Sequence, residues 1–565
     1  MKKFFVQLLI FVAIGLVPNL FRIQLPGELG NLQHIEGIVY SAALMILLAA
    51  ICKRLWIAYA VAGVFLSWWY IEIYLRLEYR SGVTANFIGM LRETNADEIR
   101  SFFLTYASSL IFPWIFSLLC FAILLLWSVK SRSIWTHRSR YWVIISFFAG
   151  AGLLYSSFAM QEPEGIVATP DQFAVRPPSF WVSKWADIYP TNGFFAVWQY
   201  EQYRKIIAEL KDKLIGYRFE QMKKPTPDPD TIVLVIGESS RRDRWSLFGY
   251  GRKTTPRLQG INGIVPIEDM VTVSVATRTS VPEMISKAPV QRADGSVATR
   301  PRPSLISLFK QFGYETYWIS NQSSAGFFDT PIALYASEAG HQFFPNPTGF
   351  ASRGSLDEVL LRPLENALND KKKKLIVMHT MGSHFNYSYR YSAKYEVFRP
   401  ALQRNEIFLP SDPTKKIEAN NAYDNSILYT DSFLDAVIEK ITSHEGRSLV
   451  LYLSDHGEDI FEPGCVSSGI ARVSRHSYEI PSFLWTNKSY REQWPESVDV
   501  MRRLSKQPLL TQDAYSIILL LSGFTLDGDD SFLNEDRRER MVYAQNKWVD
   551  FDKEREKGTC TIGQE

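Results

Sequence analysis

Cysteine is scarce in this chain of 565 residues, with four in all. That excludes a disulfide-dense scaffold. Histidine is scarce as well, with eight, so imidazole chemistry must come from a short set of candidates. An excess of charge of either sign is missing: 62 Lys and Arg against 59 Asp and Glu leave +3. No global polyanion-binding surface follows from such a balance, and no nucleic-acid partner is expected. Internal repeats are absent. What is present is ordinary on average, at 46% hydrophobic and 21% charged residues, enough apolar material to exclude disorder. The mean hydropathy of −0.09 reads as soluble, and the length suggests three to four domains. The one excess is aromatic, 14% with 15 Trp and 36 Phe, and tryptophan and tyrosine collect at membrane interfaces.

The averages hide two unlike parts. Charge-free apolar runs recur at Phe4 to Leu20, Gly37 to Cys52, Leu55 to Ile71, Phe102 to Val129 and Tyr141 to Met160. A span needs about 20 apolar residues, with about 17 as a lower limit. The second and third runs are marginal and are open to a re-entrant hairpin, but the reading is five helices. The first follows Met1-Lys2-Lys3 like a signal peptide, yet no small-residue cleavage site comes after it. With the N-terminus inside, the cytoplasmic pieces hold Lys2, Lys3, Lys53, Arg54, Lys130, Arg132, Arg138 and Arg140 and no acids. That is the positive-inside asymmetry. An odd number of spans then puts everything after Met160 outside the cytoplasm. Glu72 and Arg76, four apart near the outer end of the third helix, read as a self-neutralising pair at the interface.

The expected organisation is an α-helical transmembrane domain over residues 1–160, a connector over 161–228 and a soluble α/β domain over 229–565. The connector carries Trp181, Trp185, Phe194, Phe195 and Trp198 ahead of a charged helical stretch from Tyr200 to Leu214. It reads as an interfacial helix or as one packed on the soluble domain. From Asp230, short β-branched runs alternate with helical patterns, which predicts a mostly parallel sheet. Strands are predicted over 231–236, 316–320, 375–379, 448–453 and 481–485. Helices are predicted over 304–312, 356–369, 421–441 and 511–522.

Ligands bind beyond the carboxyl ends of strands in such sheets, and these ends are rich in metal-ligand types. They read Gly237-Glu238-Ser239-Ser240-Arg241, His379-Thr380-Met381-Gly382-Ser383-His384 and Ser454-Asp455-His456-Gly457-Glu458, with Arg475-His476 just before the fifth strand. Mixed carboxylate and imidazole ligands suit zinc, with manganese as the alternative. The segment after Glu238 lacks the glycine that a hydrolase nucleophile elbow needs two places beyond its serine. Hydroxyls at Thr277, Thr279 and Ser280 precede an apparent helix start, where a phosphate can sit on backbone N–H groups. The plain alternative is a helix cap by Thr279 or Ser280.

Taken together, these segments resemble the phosphoethanolamine transferases of the alkaline phosphatase/sulfatase superfamily. Further matching elements are Gly249-Tyr250, Thr255-Pro256-Arg257-Leu258, Trp318-Ile319-Ser320-Asn321-Gln322 and Tyr423-Asp424-Asn425-Ser426. The resemblance implies a bacterial inner-membrane enzyme with a periplasmic, sulfatase-like catalytic domain. It implies Thr277 as the nucleophile and Glu238, Thr277, Asp455 and His456 as ligands of one tightly bound zinc, with a second ion left open. It implies substrate-binding roles for His384, His476, Asn321, Thr94 and Glu98, the last two at the ethanolamine end. The implied donor is phosphatidylethanolamine. The implied acceptor is an envelope glycolipid or glycan: lipopolysaccharide core, lipid A or periplasmic glucan. Diacylglycerol leaves, and transfer is ping-pong through modified threonine.

Departures and alternatives remain. Members acting on lipid A often carry cysteines flanking the nucleophile, where this chain has Val273 and Glu283. Of the four cysteines only Cys465 and Cys560 lie outside the membrane, and their pairing is open. A sulfatase needs Cys or Ser followed by x-Pro-x-Arg, whereas Ser280-Val281-Pro282-Glu283-Met284 ends in Met. A phosphoglycerol transferase of the lipoteichoic-acid-synthase type shares the architecture and the threonine. A receptor or assembly factor with a degenerate domain needs lost ligands, and here they are all present.

Overall fold

The computed structural model describes residues 2–21, 28–79, 82–85, 87–88, 111–159, 188–212, 219, 226–286, 304–322, 330–346, 354–404, 412–462, 465, 474–525, 539–544 and 547–562. The chain forms two compact units, Met1–Tyr203 and Arg204–Glu565.

In the first unit, α1 (Lys2–Leu20), α2 (Glu28–Cys52), α3 (Leu55–Leu66), α4 (Trp69–Tyr79), α5 (Phe112–Ser131) and α6 (Ser139–Ala159) follow the apolar runs. Three helices are long and apolar enough to cross a membrane among the described residues, with windows at Lys3–Leu20, Ile35–Cys52 and Phe112–Ser131. The third predicted run is not one straight helix. It breaks at Ser67-Trp68 into α3 and α4, and the Ser67 carbonyl freed there accepts the indole N–H of Trp114 at 2.6 Å. The loops sort by side. Leu55 N–H donates to Ser133 O at 3.1 Å and Trp135 N–H to Lys53 O at 2.7 Å. Phe4 packs edge-on against Trp135. The N-terminus and both basic loops therefore share one end of the bundle, as the charge pattern requires.

The opposite end is closed by buried polar groups. Asn19 Nδ2 donates to Ser41 Oγ at 2.7 Å and to Tyr189 O at 2.8 Å. Glu72 and Arg76 do pair, with Arg76 Nε donating to Glu72 Oε1 at 2.6 Å. The pair is buried within the protein, at 0% and 3% exposure, and Glu72 Oε2 also accepts Val83 N–H and Asn192 Nδ2, each at 2.8 Å. Asn192 opens α7 (Asn192–Asp212), which begins earlier than the predicted stretch from Tyr200. Trp181 and Trp185 lie outside the described residues.

The second unit is an α/β domain. Its strands are β1 (Thr231–Gly237), β2 (Ile264–Pro266), β3 (Asp269–Val271), β4 (Glu315–Ser320), β5 (His341–Phe343), β6 (Lys374–His379), β7 (Ser448–Ser454), β8 (Ser482–Thr486), β9 (Pro508–Leu510), β10 (Met541–Ala544) and β11 (Lys547–Asp550). The main sheet runs β2-β8-β7-β1-β6-β4-β5. The five strands from β7 to β5 are parallel, while β8 is antiparallel to both β7 and β2. Central β1 reads Thr-Ile-Val-Leu-Val-Ile-Gly and is buried throughout, the continuous apolar run expected of a strand covered on both faces. Its side chains alternate between two cores, Ile232, Leu234 and Ile236 in one and Val233 and Val235 in the other.

Helices α8 (Thr277–Ile285), α9 (Leu305–Gln311), α10 (Leu361–Leu368), α11 (Lys416–Thr442), α12 (Asp513–Leu521) and α13 (Phe551–Lys557) complete the elements used below. Cys465 and Cys560 are joined by a disulfide, with Cα atoms 5.4 Å apart. Cys52 and Cys120, in α2 and α5, are free thiols.

Candidate active site and metal centre

Parallel pairing brings the carboxyl ends of β7 and β1 side by side, Gly237 opposite Ser454. The next residues of each strand are therefore forced together: Glu238 after β1, Asp455 and His456 after β7. All three are at least 98% buried, and one ligand atom from each lies within 4.8 Å of the others. Thr277 completes a quartet. Its Oγ1 is 3.3 Å from Glu238 Oε2 and 3.4 Å from His456 Nε2. His456 Nε2 in turn is 3.5 Å from Glu238 Oε1 and 3.5 Å from Asp455 Oδ2.

The quartet fits a metal ion on three counts. His456 Nδ1 donates to Gly457 O at 2.6 Å, which leaves the Nε2 lone pair facing the carboxylates. Asp455 Oδ1 accepts the N–H groups of Ser239 and His456 at 2.9 and 2.7 Å, while buried Oδ2 has no hydrogen-bond partner. Lone pairs aimed at one another in a buried site need a cation between them. Finally, zinc–ligand bonds of about 2.0–2.2 Å on a tetrahedron set donors about 3.3–3.6 Å apart, and Thr277 Oγ1 and Asp455 Oδ2 stand 3.4 and 3.5 Å from His456 Nε2. Burial alone raises the Asp455 carboxyl, but the charge of His456, the Thr277 hydroxyl and the Ser239 N–H outweigh it and hold the group below its usual range.

Thr277 is the first residue of α8, and Ala276 in extended conformation precedes it. The predicted cap by Thr279 or Ser280 is not formed: Ala276 holds the cap position with no side-chain bond. Ser280 instead points into the core, where its Oγ donates to Asp455 O at 2.7 Å. The nine-residue helix thus aims its N-terminal end at the Thr277 side of the quartet, a favourable place for a phosphate.

The remaining predicted site residues are placed as follows. His384 stands on the loop after β6 with Nδ1 2.6 Å from Phe385 O. That loop is tied to the quartet by Ser383 N–H, which donates to Glu238 O at 2.9 Å. Gly382 makes the approach: its φ is +48°, and a Cβ there would lie 2.7 Å from Glu238 O. His476 is carried next to the Asp455-His456 turn because Gly457 lets its carbonyl pass, a Cβ at Gly457 meeting His476 O at 2.0 Å. The His476 ring faces carboxylates, with Asp243 Oδ2 at 3.5 Å, Glu479 Oε2 at 3.8 Å and Glu462 Oε2 at 4.0 Å. Burial first, then the charge of Arg241, lowers its pKa despite those acids. Asn321 is buried, and its Nδ2 is committed to Asp357 Oδ1 at 2.8 Å and Ser355 O at 2.9 Å. Thr94 and Glu98 lie outside the described residues.

Two residues whose side chains donate to a ligating carboxylate, among the described residues, were not singled out by sequence. Gln322 Nε2 donates to Glu238 Oε2 at 3.1 Å, and Ser239 Oγ donates to Glu238 Oε1 at 2.6 Å. Both stand inside recognised motifs, but their type alone carries no sign of this role.

A mostly parallel α/β sheet with two carboxylates and an imidazole at adjacent strand ends, and a hydroxyl at the neighbouring helix start, is the arrangement of a candidate metal-site enzyme. The chain belongs to the sulfatase family, whose description "Sulfatase" matches residues 230–518. It is 27% identical to phosphoethanolamine transferase EptC of Escherichia coli strain K12 over 550 residues, covering 92% of this chain and 90% of that protein. It is 28% identical to phosphoethanolamine transferase CptA of Salmonella typhimurium, covering 94% of this chain and 92% of that protein. The crystal structure of the C-terminal periplasmic domain of Escherichia coli EptC in complex with Zn matches 59% of this chain and 95% of that one, at 28% identity and a TM-score of 0.51. Relatives of this coverage and name support a transferase, the apolar helices suggest a membrane protein, and the Zn complex of the matched domain together with the buried triad supports a metal.

Proposed function

We propose that the chain transfers phosphoethanolamine from phosphatidylethanolamine to an envelope glycolipid or glycan, by way of phosphoethanolamine-modified Thr277. The observation that carries this reading is the position of the Thr277 hydroxyl, within 3.4 Å of two prospective metal ligands and at the head of α8. A serine or threonine hydroxyl is a weak nucleophile until it is activated. Glu238, Asp455, His456 and Thr277 would hold zinc, which would supply Lewis-acid charge that lowers the cost of deprotonating that hydroxyl and of building charge on the phosphoryl oxygens.

The chain's own groups do the rest. The Thr277 O–H already donates toward Glu238 Oε2 at 3.3 Å, which gives its proton a first acceptor. The Thr277 oxygen then forms a bond to phosphorus while the bond from phosphorus to the diacylglycerol oxygen breaks, and that oxygen leaves as a hydroxyl after taking up a proton. The N–H groups of Thr277 and Arg278 at the head of α8 receive phosphoryl oxygens, those of Thr279 and Ser280 being bonded to Ala276 O. In the second half an acceptor oxygen attacks the same phosphorus, and Thr277 leaves with a proton. His384 and His476 serve the phosphoryl oxygens or the two leaving groups. Thr94 and Glu98 are assigned to the ethanolamine end, a carboxylate being the natural partner of an ammonium.

A lipid donor accounts for apolar helices and a phosphoryl-transfer site in one chain. The N-terminus and basic loops are read as cytoplasmic, the part after Met160 as periplasmic, with 161–228 as connector and 229–565 as catalytic domain. The test uses purified full-length chain with vesicles containing phosphatidylethanolamine. Diacylglycerol release and a phosphoethanolamine adduct on Thr277, seen by mass spectrometry, are expected, and both vanish in Thr277→Ala. Release that survives Thr277→Ala removes the nucleophile assignment. A phosphoglycerol adduct, formed only when the vesicles carry phosphatidylglycerol, replaces the proposed donor.

A further inference from the structure

The turn from Glu238 to Arg241 holds a strained residue that the proposed chemistry does not use. Ser239 has φ of +53°, a region sparsely populated by residues with a Cβ and kept only where the surroundings over-determine it. Those surroundings are explicit. Tyr423 Oη donates to Ser239 O at 2.6 Å and accepts Arg241 N–H at 2.9 Å. Ser240 N–H donates to Ser454 Oγ at 2.9 Å. Ser239 is 1% exposed, so solvent cannot replace any of these partners.

The strained conformation points both of its donors at the site. Ser239 N–H donates to Asp455 Oδ1 at 2.9 Å, and Ser239 Oγ donates to Glu238 Oε1 at 2.6 Å. One residue therefore holds two carboxylates that arrive from different strands, β1 and β7. On the far side Gln322 holds Glu238 Oε2, so Glu238 is clamped through both oxygens. On Asp455 the clamp takes Oδ1 and leaves Oδ2 bare toward His456. Like charges this close repel until a cation arrives, and a bifunctional donor keeps them together before it does.

We propose that Ser239 is the positioning residue of the metal centre, its N–H and hydroxyl presenting Asp455 and Glu238 to zinc. The proposal rests on the reading of Glu238, Thr277, Asp455 and His456 as that centre. Outer partners of ligating groups are worth about 10–100-fold in metal affinity.

The test measures zinc affinity of the purified full-length chain in detergent, by competition with a chromophoric chelator. Ser239→Gly takes a positive φ without strain, so it keeps the turn and loses only the hydroxyl. Zinc binding about 10–100-fold weaker is expected, with the melting temperature of the metal-free protein unchanged. Ser239→Thr, which keeps the hydroxyl, recovers most of the affinity. A Ser239→Gly protein within twofold of wild type, or a Ser239→Thr protein as weak as Ser239→Gly, overturns the proposal. Should Ser239→Gly not fold, Ser239→Ala against Ser239→Thr gives the same contrast, and the same two outcomes support or overturn the role. Glu238→Ala separates the two levels. If it binds zinc like wild type, the metal centre itself is misassigned and the role of Ser239 falls with it. If it loses zinc while Ser239→Gly does not, only the positioning role falls.

Discussion

Asp455 Oδ2 stands 3.5 Å from His456 Nε2 and accepts no hydrogen bond, although both residues are almost wholly buried. Asp455 Oδ1 is satisfied by two backbone N–H groups, so the asymmetry belongs to the folded chain. Asp455→Asn keeps the shape and removes the charge. Zinc affinity should fall by more than about a hundredfold, beyond what an outer partner is worth. The metal-free protein should melt somewhat lower than wild type, because the Asp455 carboxyl is held below its usual range and the fold therefore favours its ionised form. Chelator competition and thermal unfolding with EDTA check the two halves.

The strands around this site were legible because each is a short apolar run ended by polar residues. Strands β1, β4, β6 and β7 begin and end within one residue of their predicted bounds. Strands β2 and β5 have three residues each, too few to show a period. The antiparallel direction of β8 leaves no mark in a sequence that is buried on both faces. Glu238, Asp455 and His456 could be picked out because strand ends collect ligands. The positive φ of Ser239 could not, since no glycine or asparagine marks it. The acidic surroundings of His476 come from Asp243, Glu462 and Glu479, two of them remote in sequence, and only the fold unites them. Pairing of Cys465 with Cys560 was open for the same reason.

That disulfide joins residues 95 apart. By chain entropy, closing a loop of this length is worth up to about 4–5 kcal/mol, and losses of about 2–5 kcal/mol are typical. Reduction, or Cys560→Ser, should lower the melting temperature by several degrees, the shift per kcal/mol being smaller than the about 2–4 °C of a 150–250-residue domain. Thermal scans with and without a membrane-permeant reductant measure it. Cys52 and Cys120 are free, so Cys52→Ser combined with Cys120→Ser should leave the reductant effect intact.

Glu72 and Arg76 make a different kind of claim. Glu72 accepts from Arg76, Val83 N–H and Asn192, so its carboxylate is solvated by protein alone. Removing one partner leaves an uncompensated buried charge, at a cost of about 3–5 kcal/mol. Glu72→Ala and Arg76→Ala should each depress stability in detergent. The double replacement Glu72→Leu with Arg76→Met should cost less than either single change. A double-mutant cycle by thermal unfolding decides, and a strictly additive pair would falsify the coupling.

His379 closes β6 with 0% exposure, and neither ring nitrogen has a hydrogen-bond partner. Burial lowers its pKa from the usual 6.5 to about 4, against a partial pull upward from Asp455. In the unfolded chain the ring titrates near its usual value, so between about pH 6.5 and about pH 4 the unfolded state binds more protons. Stability from this group is therefore complete above about pH 6.5 and is lost as the pH falls through about 4. At about 1.4 kcal/mol for each unit the whole loss is on the order of 3 kcal/mol. His379→Leu, neutral at every pH and accommodated beside the edge-on ring of Trp318, should flatten the acid limb of the stability curve across that window. Urea denaturation midpoints taken between pH 7 and pH 4 read the slope directly. A variant that declines as steeply as wild type would assign acid sensitivity to the carboxylates of the site instead.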